Sequence, residues 1–142
     1  MKWMIASDIH GSAYYCRKLL EAYTEEGADR LLLLGDILYH GPRNDLPRDY
    51  APKEVIALLN ERKNDIYCVR GNCDTEVDQM VLEFPVLSDY CVLRRGRRQS
   101  MPPMDISIMS RNCRHCISEI FYCTVILMCR NALFMRQSSI SA

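Results

Sequence analysis

Three short runs of mostly apolar residues, each followed at once by polar residues, organise the first half of the chain. They occupy residues 2–6, 31–34 and 66–69. Runs this short, bounded by glycine or polar residues, are typical of strands buried on both faces of a parallel sheet. Because the carboxyl ends of parallel strands meet at one edge, we expect the polar residues that follow the runs to lie together.

Helical patterns separate these runs. Ser12 is suited to cap a helix that extends to about Glu26, with apolar residues at helical spacing and Gly27 as its stop. Pro52 stands at the first-turn position of a second amphipathic segment. Alternating strands and helices predict an α/β layered fold whose site lies at the carboxyl ends of the strands.

The pattern fails after Ser88. Residues 94–98 and 101–104 and the serine-rich end match neither a helical nor a strand period for long, and residues 116–129 fit strand or helix equally. We therefore predict one domain, with its N-terminal part in residues 1–87 and a weakly organised tail in residues 88–142.

Composition changes at the same place. Residues 1–90 carry 10 Lys and Arg against 16 Asp and Glu, whereas residues 91–142 carry 8 against 2, and five of the eight cysteines lie in the second part. An acidic first part favours cation binding, and the zero net charge argues against a nucleic-acid partner. The longest apolar run, residues 120–129, falls short of the roughly 20 residues of a membrane helix. With no signal-peptide pattern, we expect a cytoplasmic protein with reduced thiols and no membrane partner.

The polar strings after the three runs suit metal binding. Asp8 and His10 stand one residue apart, on the same side of an extended segment, and can share an ion. Asp36 is placed to bridge two ions, and Asn72 offers a neutral oxygen to the second. Phosphate-ester hydrolysis with two metals needs such a set around ions about 3.5–4 Å apart. Taken singly, each residue is more often a turn or cap residue.

Taken together, these strings resemble the calcineurin-like metallophosphoesterases, whose pattern is D-x-H, then G-D, then G-N-x-D. The matching residues are Asp8, His10, Gly35, Asp36, Gly71, Asn72 and Asp74. Residues 35–44 and 70–80 resemble more closely the bacterial YfcE-type phosphodiesterases. The glycines at 11, 35 and 71 are expected to let the backbone turn closely around the ions.

The resemblance implies a four-layer αββα sandwich, present here in part, and a pair of divalent ions, often Mn²⁺. It implies a small phosphodiester substrate, attacked at phosphorus by a metal-bound hydroxide. By position, Asp8 and His10 would bind the first ion, Asp36 would bridge, and Asn72 would bind the second. Cys73 stands where most of the superfamily has a histidine that acts on the leaving group, although the YfcE-like branch also has cysteine there. Asp36, Asn72 and Cys73 are thus the catalytic candidates.

Four other polar residues receive secondary interpretations. His40 and Arg43 are candidates for a phosphate contact, but a solvent-facing loop histidine is the commoner case. Asp74 and Asp78 are expected to orient the Asn72 loop or to cap the following helix rather than to bind metal.

The family's remaining motifs, G-H and G-H-x-H, are missing, since the single histidine after residue 40 is His115. Codons for residues 101–106 read from their third base permit Ala-Thr-His-Gly-His, and the same shift over residues 122–130 permits Leu-Tyr-Gly-His-Thr-His-Val-Pro. We therefore favour a frameshift, one base lost or two gained, between about residues 86 and 99. The chain itself is then expected to bind metal weakly and to turn over little.

Three alternatives remain for the chain as written. In the first, the chain is an inactive remnant that exposes the edge of an incomplete sheet and aggregates. In the second, the tail is a small zinc-binding module, although a second ligand pair at a usual spacing is lacking. In the third, the cysteine-rich segment is simply a packed helix. The candidate zinc ligands are Cys113, His115, Cys116, Cys123 and Cys129.

Overall fold

The computed structural model describes residues 2–42, 44–94, 105–109, 125–129 and 132–135. These residues form three helices and seven strands. The elements in chain order are β1 (Trp3–Ala6), α1 (Ala13–Glu25), β2 (Arg30–Leu33), α2 (Pro52–Asn60), β3 (Ile66–Cys68), α3 (Glu76–Val81), β4 (Tyr90–Arg94), β5 (Asp105–Met109), β6 (Val125–Cys129) and β7 (Ala132–Met135).

The larger sheet has five strands in the order β3-β2-β1-β6-β7. Strands β1, β2, β3 and β6 run parallel, and β7 lies antiparallel at one edge. Strands β4 and β5 form a separate antiparallel pair. The predicted α/β order of the first half is therefore confirmed, with the carboxyl ends of β1, β2 and β3 at one edge.

Both faces of the central strands are buried. Met4 and Leu33 point into a cluster that includes residues of α1 and α2. Ile5 and Leu32 point the other way, into a second cluster against which Cys91 of β4 packs. The helices α1 and α2, the five-stranded sheet and the β4–β5 pair thus supply three of the layers of the predicted αββα sandwich. Burial on both faces also explains why these strands read as continuous apolar runs.

The helix boundaries follow the predicted signals. Ser12 has extended backbone angles and its Oγ accepts a hydrogen bond from the Tyr15 N–H at 3.3 Å. Gly27 follows the end of α1 with a φ of +57°, a conformation that glycine adopts without steric cost. Pro52 is the first residue of α2.

Strands also occur within the segment predicted to be a weakly organised tail. Strand β6 shows that residues 125–129 are extended, so the part of 116–129 that the structure describes is strand rather than helix. The division at residues 87 and 88 stays a prediction. In the stretches that the structure describes, no helix is long and apolar enough to cross a membrane.

Candidate metal centre

The loops after β1, β2 and β3 are tied together at the carboxyl edge of the sheet. The His10 N–H donates to the Asp36 carbonyl at 2.9 Å, and the Gly11 N–H donates to the Ile37 carbonyl at 2.7 Å. From the third loop, the Cys73 N–H donates to Asp36 Oδ1 at 2.8 Å. The three polar strings therefore meet, and Asp36 lies where they meet.

The backbone is strained at this edge. Asp8, His10 and Asp36 have φ angles of 60°, 49° and 56°, and Asp49 is the other non-glycine residue with positive φ in the described part of the chain. Such a conformation costs of order 1–3 kcal/mol for a residue with a side chain, although Asp and His tolerate it better than most. Three of the four cases fall on candidate ligands, which is typical of a functional site.

His10 is held in the orientation of a metal ligand. Its side chain is buried, and Nδ1 lies 2.6 Å from the Tyr39 carbonyl oxygen, which can only accept. Nδ1 therefore carries the proton, and Nε2 faces Asp8 Oδ1 at 3.3 Å and Asp36 Oδ2 at 3.9 Å. The hydrogen bond to Asp8 raises the pKa of His10, supported by the Tyr39 carbonyl and the Asp36 charge and opposed by burial. Metal-binding histidines commonly donate their second ring nitrogen to a carbonyl in this way.

Asp36 is a buried carboxylate among other carboxylates. Burial raises its pKa, and the charges of Asp74 and Asp8 add to that effect, whereas the bond from the Cys73 N–H lowers it. A cation bound here would offset the cost of burying this charge. The site is therefore built to hold positive charge.

Asp8 is the more exposed of the two candidate ligand carboxylates. Its Oδ2 accepts a hydrogen bond from Ser7 Oγ at 2.6 Å, while Oδ1 faces His10. Neither Ser7 nor the Tyr39 carbonyl was identified from the sequence. Ser7 carried a weak signal as the polar residue that ends the first apolar run, but nothing in the sequence pointed to Tyr39.

The third loop contributes an amide and a thiol. Asn72 is exposed, and its Nδ2 donates to Cys73 Sγ at 3.1 Å. Cys73 is half-buried, and one ligand atom each from Cys73, His10 and Asp36 all lie within 4.8 Å of one another. Burial, followed by the charges of Asp36 and Asp74, raises the pKa of the Cys73 thiol. Sequence reasoning assigned this cysteine to the leaving group and missed it as a possible ligand.

Asp74 and Asp78 have the supporting positions expected of them. The buried Asp74 carboxylate accepts from the N–H groups of Asp36, Ile37 and Gly71 at 2.8, 3.0 and 2.7 Å. Asp78 accepts from the Thr75 N–H at 2.7 Å and completes a capping box at the start of α3.

His40 is not the solvent-facing residue that was expected. Its ring packs edge-on between Tyr39 and Tyr50, with centroids 5.0 and 5.3 Å away. These rings cover it, and its buried Nδ1 has no hydrogen-bond partner among the residues that the structure describes. Arg43 lies outside the described residues.

The donors at this edge fit one divalent ion well and a second ion incompletely. His10 Nε2 faces a carboxylate of Asp8 at 3.3 Å and one of Asp36 at 3.9 Å, which gives this position an imidazole nitrogen with a carboxylate on either side. A second ion beyond Asp36 would have Asp36 and Asn72 as its described ligands. A two-metal centre needs more donors than these to fix both ions.

Comparison with known proteins agrees with this geometry. A family model described as calcineurin-like phosphoesterase matches residues 1–116. The chain belongs to this family, whose members use divalent metals, and the recognition made from its motifs is confirmed.

Within the family, the chain is similar to phosphodiesterase YfcE of Escherichia coli. The YfcE proteins of strains K12, O6:H1 CFT073 and O157:H7 are each 52% identical over 90 residues, which is 63% of this chain and 49% of the relative. A solved structure of YfcE, described as a phosphoesterase from E. coli, aligns with a TM-score of 0.68 and 43% identity over 77% of this chain and 57% of that one. The chain therefore spans about half the length of the curated relatives it matches.

Proposed function

We propose that this chain is by lineage a metal-dependent phosphodiesterase that acts on small phosphodiesters. The observation that supports it best is His10, whose Nδ1 is held by the Tyr39 carbonyl at 2.6 Å while Nε2 faces Asp8 and Asp36. This arrangement favours positive charge at Nε2, where the two carboxylates stabilise a proton on the imidazole or a cation that takes its place. It is what a bound divalent cation requires.

Each residue has a defined part in this proposal. Asp8 and His10 would hold the first ion, Asp36 would be shared between the two, Asn72 would hold the second, and Cys73 would lie beside the leaving group. Divalent ions, for which we propose manganese, would supply Lewis acidity and a lowered pKa of coordinated water. The protein's contribution is to hold the donors at fixed positions, through Ser7 on Asp8 and the Cys73 N–H on Asp36.

We further propose that this particular chain is impaired by a shift of reading frame after about residue 86. The position of the second ion supports this, because Asp36 and Asn72 are its only described ligands. The length of the curated match also supports it, since its 90 residues are close in number to the 87 residues that carry the family's first motifs. The family-model match reaches residue 116 and so extends beyond that boundary. Resequencing the source DNA across the codons for residues 85–131 tests the idea directly.

Activity measurements give a second test. We expect the chain as written to hydrolyse bis(p-nitrophenyl) phosphate with Mn²⁺ at least about 100-fold more slowly than a version with its frame restored, because loss of supporting groups alone costs 10–100-fold. Calorimetry should find fewer than two Mn²⁺ per chain as written. Two ions bound per chain and equal activity of both versions would contradict the impairment.

Asp36→Asn in the frame-restored version tests the bridging role of Asp36, and Asp45→Asn is its matched control. We expect Asp36→Asn to lose at least about 100-fold in activity, since it removes the bridging charge rather than a supporting group. Asp45→Asn, a carboxylate of the same loop outside the donor set, should retain activity. An unchanged rate in Asp36→Asn would remove the proposed bridge and with it the two-metal mechanism.

The aggregating remnant is the main alternative for the chain as written. It predicts poor solubility and no cooperative melt, whereas a folded domain gives a single transition. The zinc module in the tail stays a prediction, because the structure describes its proposed ligands only as far as the backbone of β6. We also propose a cytoplasmic location, consistent with the free thiols of Cys16, Cys68, Cys73 and Cys91.

A further inference from the structure

A thiol lies within the metal site, next to its imidazole and its buried carboxylate. One ligand atom each from His10, Asp36 and Cys73 fall within 4.8 Å of one another. A tetrahedral zinc ion, with bonds of about 2.0–2.3 Å, needs its ligand atoms roughly 3.3–3.8 Å apart. Each pair of ligand atoms thus has to close by no more than about 1.5 Å to reach a zinc geometry.

Each of these three donors is held by a neighbour. The Tyr39 carbonyl holds His10 Nδ1 at 2.6 Å, the Cys73 N–H holds Asp36 Oδ1 at 2.8 Å, and Asn72 Nδ2 donates to Cys73 Sγ at 3.1 Å. A donor aimed at a sulfur stabilises its thiolate, as supporting hydrogen bonds do around metal-bound cysteines. The raised pKa of the free thiol does not oppose binding, since a coordinating thiol is deprotonated by the ion itself.

The softness of this donor set decides which metal it prefers. Oxygen donors suit Mn²⁺, whereas a thiolate with an imidazole suits Zn²⁺ and other late divalent ions. Asp8 Oδ1 lies 3.3 Å from His10 Nε2 but outside this group of three, so the fourth coordination position of the ion is left open. The second position, with two described ligands, is a poor competitor for an ion.

We propose that this chain binds a single Zn²⁺ through three side chains, with His10 Nε2, Asp36 and Cys73 Sγ as ligands and the fourth position open. The proposal uses the metal site of the proposed function but not its activity. The thiolate adds a soft ligand to a site whose other described donors favour one cation over two.

Cobalt is the probe for this site, because Co²⁺ takes zinc geometry and shows a near-ultraviolet charge-transfer band when bound to a thiolate. We expect one Co²⁺ per reduced chain to produce the band, and Zn²⁺ to abolish it. Cys73→Ser should remove the band and weaken Zn²⁺ binding by about 100-fold or more, while Mn²⁺ affinity changes less than about threefold.

Two cysteine controls locate the thiolate. Cys91→Ser, another half-buried cysteine, should keep the band, and so should the double variant Cys113→Ser, Cys116→Ser. A band that survives Cys73→Ser but disappears in the double variant would overturn the proposal in favour of the tail zinc module. No band at all would overturn it as well.

A measurement without substitution guards against a variant that fails to fold. Zn²⁺ should protect Cys73 from alkylation by iodoacetamide in the unaltered chain, as read by mass spectrometry of its peptide. Equal alkylation with and without Zn²⁺ overturns the proposal. Phosphodiesterase activity does not enter either readout, so an inactive frame-restored enzyme would refute the proposed function and leave the zinc site standing.

Discussion

Gly35→Ala is expected to lower the free energy of unfolding by about 3–5 kcal/mol, which is a large share of the stability of a domain this size. A Cβ at Gly35 would lie 2.0 Å from the Gly71 nitrogen and 2.3 Å from its Cα. Both are backbone atoms, so neither can rotate away. The φ of +90° at Gly35 adds strain for any residue with a side chain.

Urea unfolding followed by the fluorescence of Trp3, the single tryptophan, measures this effect. Gly27→Ala is the matched control, because Gly27 also has positive φ, +57°, but nothing lies within 4 Å of its Cβ position. It should cost only about 1–2 kcal/mol, the price of the left-handed conformation. Equal losses in the two variants would mean that the approach of Gly35 to Gly71 contributes nothing.

The close contact between Gly35 and Gly71 differs from the role that their motifs predicted for them. The sequence led us to expect glycines that let the backbone turn around metal ions. In the structure Gly35 and Gly71 lie against each other, and a Cβ at Gly71 would lie 2.3 Å from Asp36 Oδ1. Their absent side chains bring the loops after β2 and β3 together, which places Asp36 beside Cys73. The effect on the metal site is therefore indirect.

Much of the fold of the first half could be predicted because its signals are local. Ser12 caps α1, Pro52 begins α2, and the apolar runs form β1, β2 and β3. The supporting contacts of the site could not be predicted, because they join residues far apart in the chain. The Tyr39 carbonyl reaches His10 across 29 positions, and a carbonyl oxygen has no sequence signature.

The placement of His40 and Cys73 was missed for a related reason. The partial burial of His40 depends on Tyr50, ten residues later, whose ring packs against it only after the loop has folded. The closeness of Cys73 to His10 depends on three loops meeting at once. Sequence motifs indicate which residues carry chemistry, but distances between separate motifs follow from tertiary packing.

Asp74→Ala is expected to lower the free energy of unfolding by about 3–5 kcal/mol and to weaken metal binding by about 10–100-fold. One carboxylate accepts from the N–H groups of Asp36, Ile37 and Gly71, and alanine leaves all three without this acceptor. Each lost partner costs about 1–3 kcal/mol where water cannot replace it. Since two of these groups fix the backbone on either side of the Asp36 side chain, the carboxylate proposed to bridge the ions loses its position as well.

Asp78→Ala is the control for that experiment, because Asp78 is also a buried aspartate but caps α3 instead of supporting the site. Loss of its capping interactions should cost about 1 kcal/mol and leave metal affinity unchanged. Asp74→Asn should fall between the two in stability, since its amide keeps one accepting oxygen but turns a donor toward the backbone N–H groups. If metal titration and urea unfolding gave the same values for Asp74→Ala and Asp78→Ala, Asp74 would be an ordinary capping residue. The position of Asp36 would then have to depend on the Cys73 N–H and on the His10 N–H that donates to the Asp36 carbonyl.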